Sequence, residues 1–200
     1  MTDLYYQKGL DSIKEKNYEK AVSNFTEVLK LEESSSAYSN RAFAYYRLNK
    51  KDLSKSDFEK SIEVTKANLD ASQYKDPVYV DKSLIEIVRS KSSIAQINIE
   101  QRDLAEAEMD YTLILGIYKI IKDDKLIPNE LHICHTYKNR GAIRYKLNKT
   151  EDAARDIAAA YIESNNNDVR IEIVDFAAVT GLTDEVKEYI KIYSMLKKNQ

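Results

Sequence analysis

Two histidines and the single cysteine are the side chains of this sequence that could bind a metal ion or act as a nucleophile. They lie in the segment HICH, as His132, Cys134 and His135. On a helix, residues two positions apart point to nearly opposite faces, so His132 and Cys134 would not share an ion without distortion. A fourth ligand is also missing. We therefore expect no metal and no cofactor, with Cys134 a buried apolar residue and His135 at a groove or a helix contact.

A carboxylate cluster is the remaining candidate for catalysis. The acidic run EAEMD, Glu106 to Asp110, has helical spacing, and a solvated helix face explains it better than acid-base chemistry. The sequence contains no phosphate-binding glycine loop, no nucleophile elbow and no zinc-binding helix motif. These observations predict a protein without intrinsic enzyme activity.

The composition favours a helical protein. Among 200 residues there are only four Gly and two Pro, fewer turn signals than an all-β protein needs. The net charge of -2 comes without long single-sign blocks, which argues against a nucleic-acid binder. The sequence has no apolar run of eighteen residues and no signal-peptide pattern at its N-terminus. We therefore expect a cytoplasmic protein that binds neither nucleic acid nor membrane.

One short segment occurs twice. Residues from Ser39 read SNRAFAYYRL, and residues from Lys138 read KNRGAIRYKL. Each copy places Asn-Arg before a small residue and a tyrosine five positions after that arginine. A repeated structural unit is the common cause of such a match.

A wider repeat surrounds this segment. Gly9 is followed by Ala21 twelve residues later, then by Phe25 and Val28 at spacings of four and three. Apolar residues at these intervals share one helix face, and a small residue lets two helices approach closely, so each unit is predicted to be an antiparallel helix hairpin. The same template fits four further sets, the last of them weakly: Ala42, Ser54, Phe58, Ser61; Ser93, Ala105, Met109, Thr112; Gly141, Ala153, Ile157, Ala160; and Val174, Val186, Ile190, Tyr193.

These residues resemble the tetratricopeptide repeat family, which has a small residue in its first helix and an alanine in its second. The resemblance implies an all-α, right-handed superhelical solenoid with about four repeats and a C-terminal capping pair. It departs from the family in the turn, where the usual aromatic is present as Tyr18 but replaced by Lys51, Arg102 and Thr150. We expect a single domain, 1-200, with units 2-33, 35-69, 77-122 and 128-164 and a capping pair 168-198.

The middle units are longer than the family period. Capping signals predict helices from Pro77 to Glu100, from about Asp103 to Lys122, and from Pro128 to Asn148. Gly181 is expected to end one further helix, and Thr183 to begin the last. The elongated middle hairpins would give either a longer core contact or a projecting surface for a partner or for a homo-oligomer.

In the resembled fold, the first helices of the units line a concave groove. Lysine and arginine there would pair with acidic groups, asparagine would hold a peptide backbone or carboxylate, and tyrosine would supply apolar walls. Alternatively, the two asparagines would tie neighbouring helices together. The candidate peptide-binding residues are Tyr6, Asn40, Tyr46, Arg47, Lys91, Lys138, Asn139, Tyr145 and Lys146, none of them acidic.

The leading functional hypothesis is a non-catalytic adaptor that binds an acidic peptide or helical segment in this groove. One alternative is a structural scaffold subunit that uses the middle hairpins. The other is a co-chaperone with an atypical version of the family's carboxylate clamp. Asn40 matches the asparagine of the second unit and Lys91 stands where the arginine of the third unit would be, but the three remaining clamp positions hold Tyr6, Leu10 and Ile87.

Overall fold

The computed structural model describes residues 1–121 and 133–198, and in these residues every regular element is an α-helix. The predicted all-α fold class is therefore confirmed. None of the described helices is long and apolar enough to cross a membrane. The helices are α1 (Thr2–Lys14), α2 (Tyr18–Leu31), α3 (Ser35–Arg47), α4 (Lys51–Ala71), α5 (Pro77–Glu100), α6 (Leu104–Tyr118), α7 (Ile133–Lys146), α8 (Thr150–Glu163), α9 (Asn167–Thr180) and α10 (Thr183–Lys198).

Four of the links between consecutive helices share one backbone geometry. The links are residues 15–17, 48–50, 101–103 and 147–149, and the middle residue of each has a φ between 57° and 65°. The amide N–H that follows this residue donates to the carbonyl five positions earlier, at 2.8 to 2.9 Å. This left-handed residue with its long-range bond is a Schellman turn, which ends one helix and reverses the chain. The links 15–17, 48–50 and 147–149 therefore join the helix hairpins α1–α2, α3–α4 and α7–α8.

Polar caps begin several of the helices. Asn17 accepts from the amide of Lys20 at 3.2 Å before α2, and Asp103 accepts from Glu106 at 3.4 Å before α6. These side chains satisfy amides that have no partner within the helix. Gly181 ends α9 with a φ of 73°, as expected from the sequence.

The chain divides into two compact units. One comprises Met1–Ile97, and the other comprises Asn98–Ile120 with the described residues from Ile133 onward. The first unit has a core around Phe25, where the ring fills the space beside Gly9. The second has a core around Ile157 and Ile173, and α10 packs there against α8.

The repeat template is correct in the hairpins α1–α2, α3–α4 and α7–α8. On α5 and α6 it is displaced by two residues. All four template residues are buried in the hairpins that begin with Gly9, Ala42 and Gly141. On α6 Ala105, Met109 and Thr112 are exposed, and the buried residues lie two positions later, at Ala107, Tyr111 and Ile114; on α5 the buried small residue is Ala95. The link fixes this register, because Ala107 follows the left-handed Arg102 by the same five positions as Ala21 follows Lys16. Leu104, not Arg102, therefore takes the position of Tyr18.

The weak fifth match is wrong in its first helix. Val174 is 50% exposed, while Ile173 and Ala177 are buried instead. Valine is too large for the close helix approach that glycine or alanine permits, so α9 presents another face to the core.

Within the described residues, the extra length of the middle region lies in the helices α4 and α5. Helix α5 has the predicted bounds and 24 residues, and α4 has 21. Helix α6 has only 15 residues and ends at Tyr118, four residues before the predicted end. Helix α7 ends at Lys146, and its predicted start at Pro128 lies outside the described residues, as does His132.

Candidate functional site

The arginine of the repeated Asn-Arg segment holds its own hairpin together. The Arg41 guanidinium donates to both carboxylate oxygens of Asp57, through Nε at 2.7 Å and Nη2 at 2.8 Å. Its Nη1 donates to Thr26 Oγ1 of the preceding hairpin at 3.1 Å. The ring of Tyr38 lies 5.6 Å from the guanidinium carbon. One arginine thus joins α3 to α4 and also to α2.

The fourth hairpin repeats this arrangement. Arg140 donates to Asp156 at 2.8 and 2.7 Å and to Thr112 at 3.1 Å, and its guanidinium lies 5.8 Å from the ring of Tyr137. Arg144 adds a third hydrogen bond to Asp156, at 3.1 Å. The duplicated segment therefore encodes a structural clamp, which we call the arginine clamp. The sequence pattern that could have predicted the arginine clamp is an aspartate sixteen positions after the arginine of each copy.

Both candidate asparagines contact a tyrosine of an earlier helix. The amide of Asn40 donates to Tyr6 Oη at 3.0 Å, and that of Asn139 donates to Tyr111 Oη at 3.3 Å. Each asparagine therefore ties helices together, as the alternative interpretation proposed. An asparagine has two N–H donors and a carbonyl, so this contact uses only part of its capacity.

A groove of about 450 Å³ lies within the first unit. It contains two of the predicted site residues, Tyr6 and Asn40. Helices α1, α3 and α5 supply most of its walls, and Phe58 of α4 completes it. The lining residues are Tyr6, Leu10, Ser36, Ser39, Asn40, Phe43, Phe58, Glu86, Arg89, Ser90 and Ser93.

Opposite charges lie one helical turn apart in this groove. Glu86 and Arg89 both stand on α5, and neither was predicted as a site residue. Sequence reasoning chose Lys91 because it placed the small position of this helix at Ser93 instead of Ala95. When the small position is Ala95, the residue that corresponds to Asn40 is Ser93, because each stands two positions before the small residue. The groove is therefore not purely basic, contrary to the expectation of a wall without acidic residues.

Three other candidates of the first unit lie outside the lining of this groove. The Arg47 guanidinium stacks over the rings of Tyr18 and Phe43, at 5.0 and 5.9 Å, so it lies beside one groove residue. Tyr46 and Lys91 are half-buried. The clamp position at Ile87 is 4% exposed, which leaves that side chain in the core.

The remaining candidates belong to the second unit. Lys138 forms an ion pair with Glu172 of α9 at 2.7 Å, and this contact lowers the pKa of the Glu172 carboxyl. Tyr145 makes an edge contact with Phe176, with ring centroids 6.1 Å apart. Lys146 is exposed at the end of α7. Glu172, the partner of Lys138, is therefore a second acidic residue beside the predicted site residues, after Glu86 in the first unit.

A network of charges stands beside the arginine clamp of the second unit. Glu108 accepts from Arg144 at 2.8 Å and from Lys149 at 2.6 Å. Burial raises the pKa of Glu108, but the hydrogen bonds and charges of Lys149 and Arg144 outweigh it, and the net pKa is lowered. A cavity of about 510 Å³ opens next to this network, with Arg140, Arg144 and Asp156 in its wall. These charges are paired within the protein.

The described part of the histidine–cysteine segment lies largely inside the protein. Cys134 is buried, as expected, and burial raises the pKa of its thiol. His135 is half-buried. Across residues 1–121 and 133–198, no three His, Cys, Asp or Glu side chains are grouped so that they could hold a metal ion.

Comparison with known proteins agrees with the hairpin geometry. Residues 2–35 and 35–68 each match the profile of the Tetratricopeptide repeat family. Residues 2–68 are therefore two tetratricopeptide repeats. The two matched repeats are the hairpins α1–α2 and α3–α4, and the recognition made from the sequence is confirmed there. No curated protein matches this sequence.

Solved structures extend the likeness of fold over most of the chain. The crystal structure of MamA protein has a TM-score of 0.59 at 12% identity, covering 95% of this chain and 88% of that one. BtubC (BKLC) from P. vanneervenii has a TM-score of 0.63 at 15% identity, covering 94% of this chain and 76% of that one. At such low identity these structures establish the fold alone. Tetratricopeptide repeat proteins are generally non-catalytic modules that bind protein or peptide partners.

Proposed function

We propose that this tetratricopeptide repeat protein is a non-catalytic adaptor that binds a peptide segment with acidic character in the groove of its first unit. The observation that carries the proposal is the groove itself. It combines the Arg89 guanidinium, the Asn40 amide and several serine hydroxyls with the apolar surfaces of Tyr6 and Phe43. A cation, backbone-binding polar groups and aromatic walls are the parts that peptide recognition requires.

The polar groups of the groove are held in place before any ligand arrives. The Asn40 amide is fixed by Tyr6, and the Tyr6 ring packs edge-on against Phe25 at 5.7 Å. The Ser93 hydroxyl donates to the carbonyl of Arg89 at 3.1 Å. Groups that are already ordered lose little conformational entropy on binding, which favours affinity. The predicted groups of the second unit, Lys138 and Asn139 among them, are proposed as an additional contact surface.

Fluorescence anisotropy with labelled decapeptides tests the proposal. The peptide set varies in net charge, and each peptide is made with a free and with an amidated C-terminus. We expect peptides that contain an acidic residue to bind better than peptides that contain none, and Arg89→Glu to weaken them by about 10- to 100-fold, the range for one charged hydrogen-bonding group. Asn40→Ala should weaken all binding peptides, because it removes contacts to the backbone. The amidated peptides show whether a terminal carboxylate is part of the ligand.

Lys66→Glu is the matched control. Lys66 is an exposed residue of α4, it belongs to the same unit, and it does not line the groove. Its reversal makes the same change in net charge without touching the proposed site. Equal loss of affinity in Arg89→Glu and Lys66→Glu would reduce the effect to bulk charge. Unchanged affinity in both Arg89→Glu and Asn40→Ala would overturn the proposal.

A second candidate function, a scaffold subunit, is supported by α6. Met109 and Leu113 are 64% and 47% exposed on this helix, and Ile120 just beyond it is 59% exposed. The opposite face of α6 is buried at Ala107 and Ile114, so the helix is apolar on two sides. An apolar stripe of this kind suits a contact with another subunit. Sedimentation velocity on wild type and Leu113→Glu tests it: a concentration-dependent dimer that the substitution weakens supports the scaffold, and a monomer throughout contradicts it.

A further inference from the structure

The acidic residue in the groove has no role in binding an acidic peptide. Glu86 is half-buried on α5, and Arg89 is exposed one turn later on the same helix. Among the described residues, neither side chain forms an ion pair or a hydrogen bond. Opposite charges three positions apart on a helix are close enough to pair with each other. Here both line the groove without doing so.

An unpaired carboxylate at this position works against a purely acidic ligand. Like charges brought together in a partly desolvated site cost several kcal/mol, and this is how binding sites reject wrong partners. A ligand with acidic groups on both sides of Arg89 would meet Glu86. A ligand with one acid and one base would satisfy both side chains of α5.

We propose that the groove recognises a bipolar peptide segment, in which an acidic side chain pairs with Arg89 and a nearby lysine or arginine pairs with Glu86. This inference rests on the proposed function and names the class of its ligand. Charge complementarity selects that occupant, because the wall presents one unpaired charge of each sign. Asn40 and the serine hydroxyls contact the peptide backbone and are indifferent to side-chain charge.

The spacing of the two charges defines the motif. Residues three apart on a helix have Cβ atoms about 5–6 Å apart. In an extended peptide, side chains two positions apart lie on one face about 6.6 Å apart. An extended peptide leaves its backbone N–H and C=O groups free for Asn40 and the serine hydroxyls of the groove, whereas a helix bonds these groups within itself. The expected ligand is therefore an extended segment with acid and base two positions apart, in one of the two orders.

The test uses labelled octapeptides that differ only in charge placement. One pair carries a single Glu and a single Lys two positions apart, in each order. A third peptide has the same composition, with the two charges at its two ends. Two further peptides carry a pair of Glu residues or a pair of Lys residues at the close spacing. We expect one close-spaced mixed peptide to bind about tenfold more tightly than the separated one, a difference of about 1.4 kcal/mol.

Charge reversal in the protein then inverts the ranking. With Glu86→Lys, the peptide carrying two Glu residues should become the tightest ligand, and Glu86→Gln should make it equal to the mixed peptide. Circular dichroism confirms that each variant is folded. The bipolar ligand is overturned if the ranking of the peptides is unchanged in Glu86→Lys, or if close-spaced and separated charges bind with equal affinity. In either case, binding of acidic peptides that depends on Arg89 still supports the adaptor. Absence of binding by every peptide overturns both proposals.

Discussion

Arg41 and Asp57 lie sixteen positions apart in the sequence and face each other through two parallel hydrogen bonds of 2.7 and 2.8 Å. Their side chains are 17% and 10% exposed, so water screens the pair weakly. Hydrogen bonds between Asp57 and Arg41 are also the leading cause that raises the pKa of the Arg41 guanidinium. The pair fixes α3 against α4 beside the groove, and its stability consequences can be measured.

Replacing Arg41 by methionine should destabilise the protein strongly. The substitution leaves the Asp57 carboxylate largely buried without its partner, which costs on the order of 3 kcal/mol. Arg140→Met should cost less, because Arg144 still donates to Asp156 at 3.1 Å. Urea unfolding followed by circular dichroism measures both. Lys14→Met is the control, since Lys14 and its partner Asp11 are 76% and 62% exposed and such a pair contributes less than about 1 kcal/mol. Equal losses in Arg41→Met and Lys14→Met would contradict this account.

An added methyl group should have opposite effects at two helical glycines. A Cβ at Gly9 would lie 2.6 Å from Phe25 Cζ, in the core of the first unit, so Gly9→Ala should destabilise by about 1–3 kcal/mol. A Cβ at Gly116 would meet no atom within 4 Å, so Gly116→Ala should stabilise α6 by about 1 kcal/mol through helix propensity. Thermal unfolding at low protein concentration compares them. Stabilisation by Gly9→Ala would show that the ring moves aside freely.

Acid should weaken the charge network around Glu108. Burial alone would raise the pKa of this carboxyl, but Lys149 and Arg144 lower it below its ordinary value of 4.5. A group whose pKa is lowered by folding stabilises the protein above its unfolded pKa. That contribution is lost as the pH falls from about 4.5 through the lowered folded pKa. We expect Glu108→Gln to be less stable than wild type at pH 7 and nearly equal to it at the acidic end of that window. A constant difference across the range would rule out titration of Glu108 as the cause.

Cys134 should be unreactive while the protein is folded. The thiol is 4% exposed, and burial raises its pKa, which lowers the thiolate fraction at any given pH. Thiolate is the reactive form. Labelling by a thiol reagent at pH 7 and pH 8 should therefore be slow in native buffer and fast in urea. Rapid native labelling would mean that the α7–α8 hairpin opens readily.

The fold was largely predictable because its hairpins repeat a pattern that the sequence carries openly. The small residues Gly9, Ala42 and Gly141 are buried, as the template requires. The third hairpin was misplaced by two residues because α6 is apolar on both sides, so Ala105 satisfied the template as well as Ala107 did. The cap at Asp103 held the missing information, since Asn17 stands at the same distance before Ala21.

The candidate site was predictable only in part. Tyr6 and Asn40 were found because the fold places them on first helices, but their mutual hydrogen bond depends on how far apart two helices lie. Arg89 and Glu86 were missed because they stand six and nine positions before Ala95, further than the groove positions of the template extend. Lys138 was chosen for its charge, and its partner Glu172 belongs to a helix whose orientation the weak fifth match did not determine. The basic character of a surface cannot be read from its lysines until their partners are known.

The arginine clamp has a consequence for the assembly of the chain from its parts. Arg41 docks onto Thr26 and Arg140 onto Thr112, and each threonine stands one position after the aromatic residue, Phe25 or Tyr111, that fills its hairpin core. The hairpins α3–α4 and α7–α8 thus use the same docking group on the same acceptor. A shortened chain in which α7–α8 follows α2 directly would therefore offer Arg140 an acceptor, Thr26, in the place of Thr112.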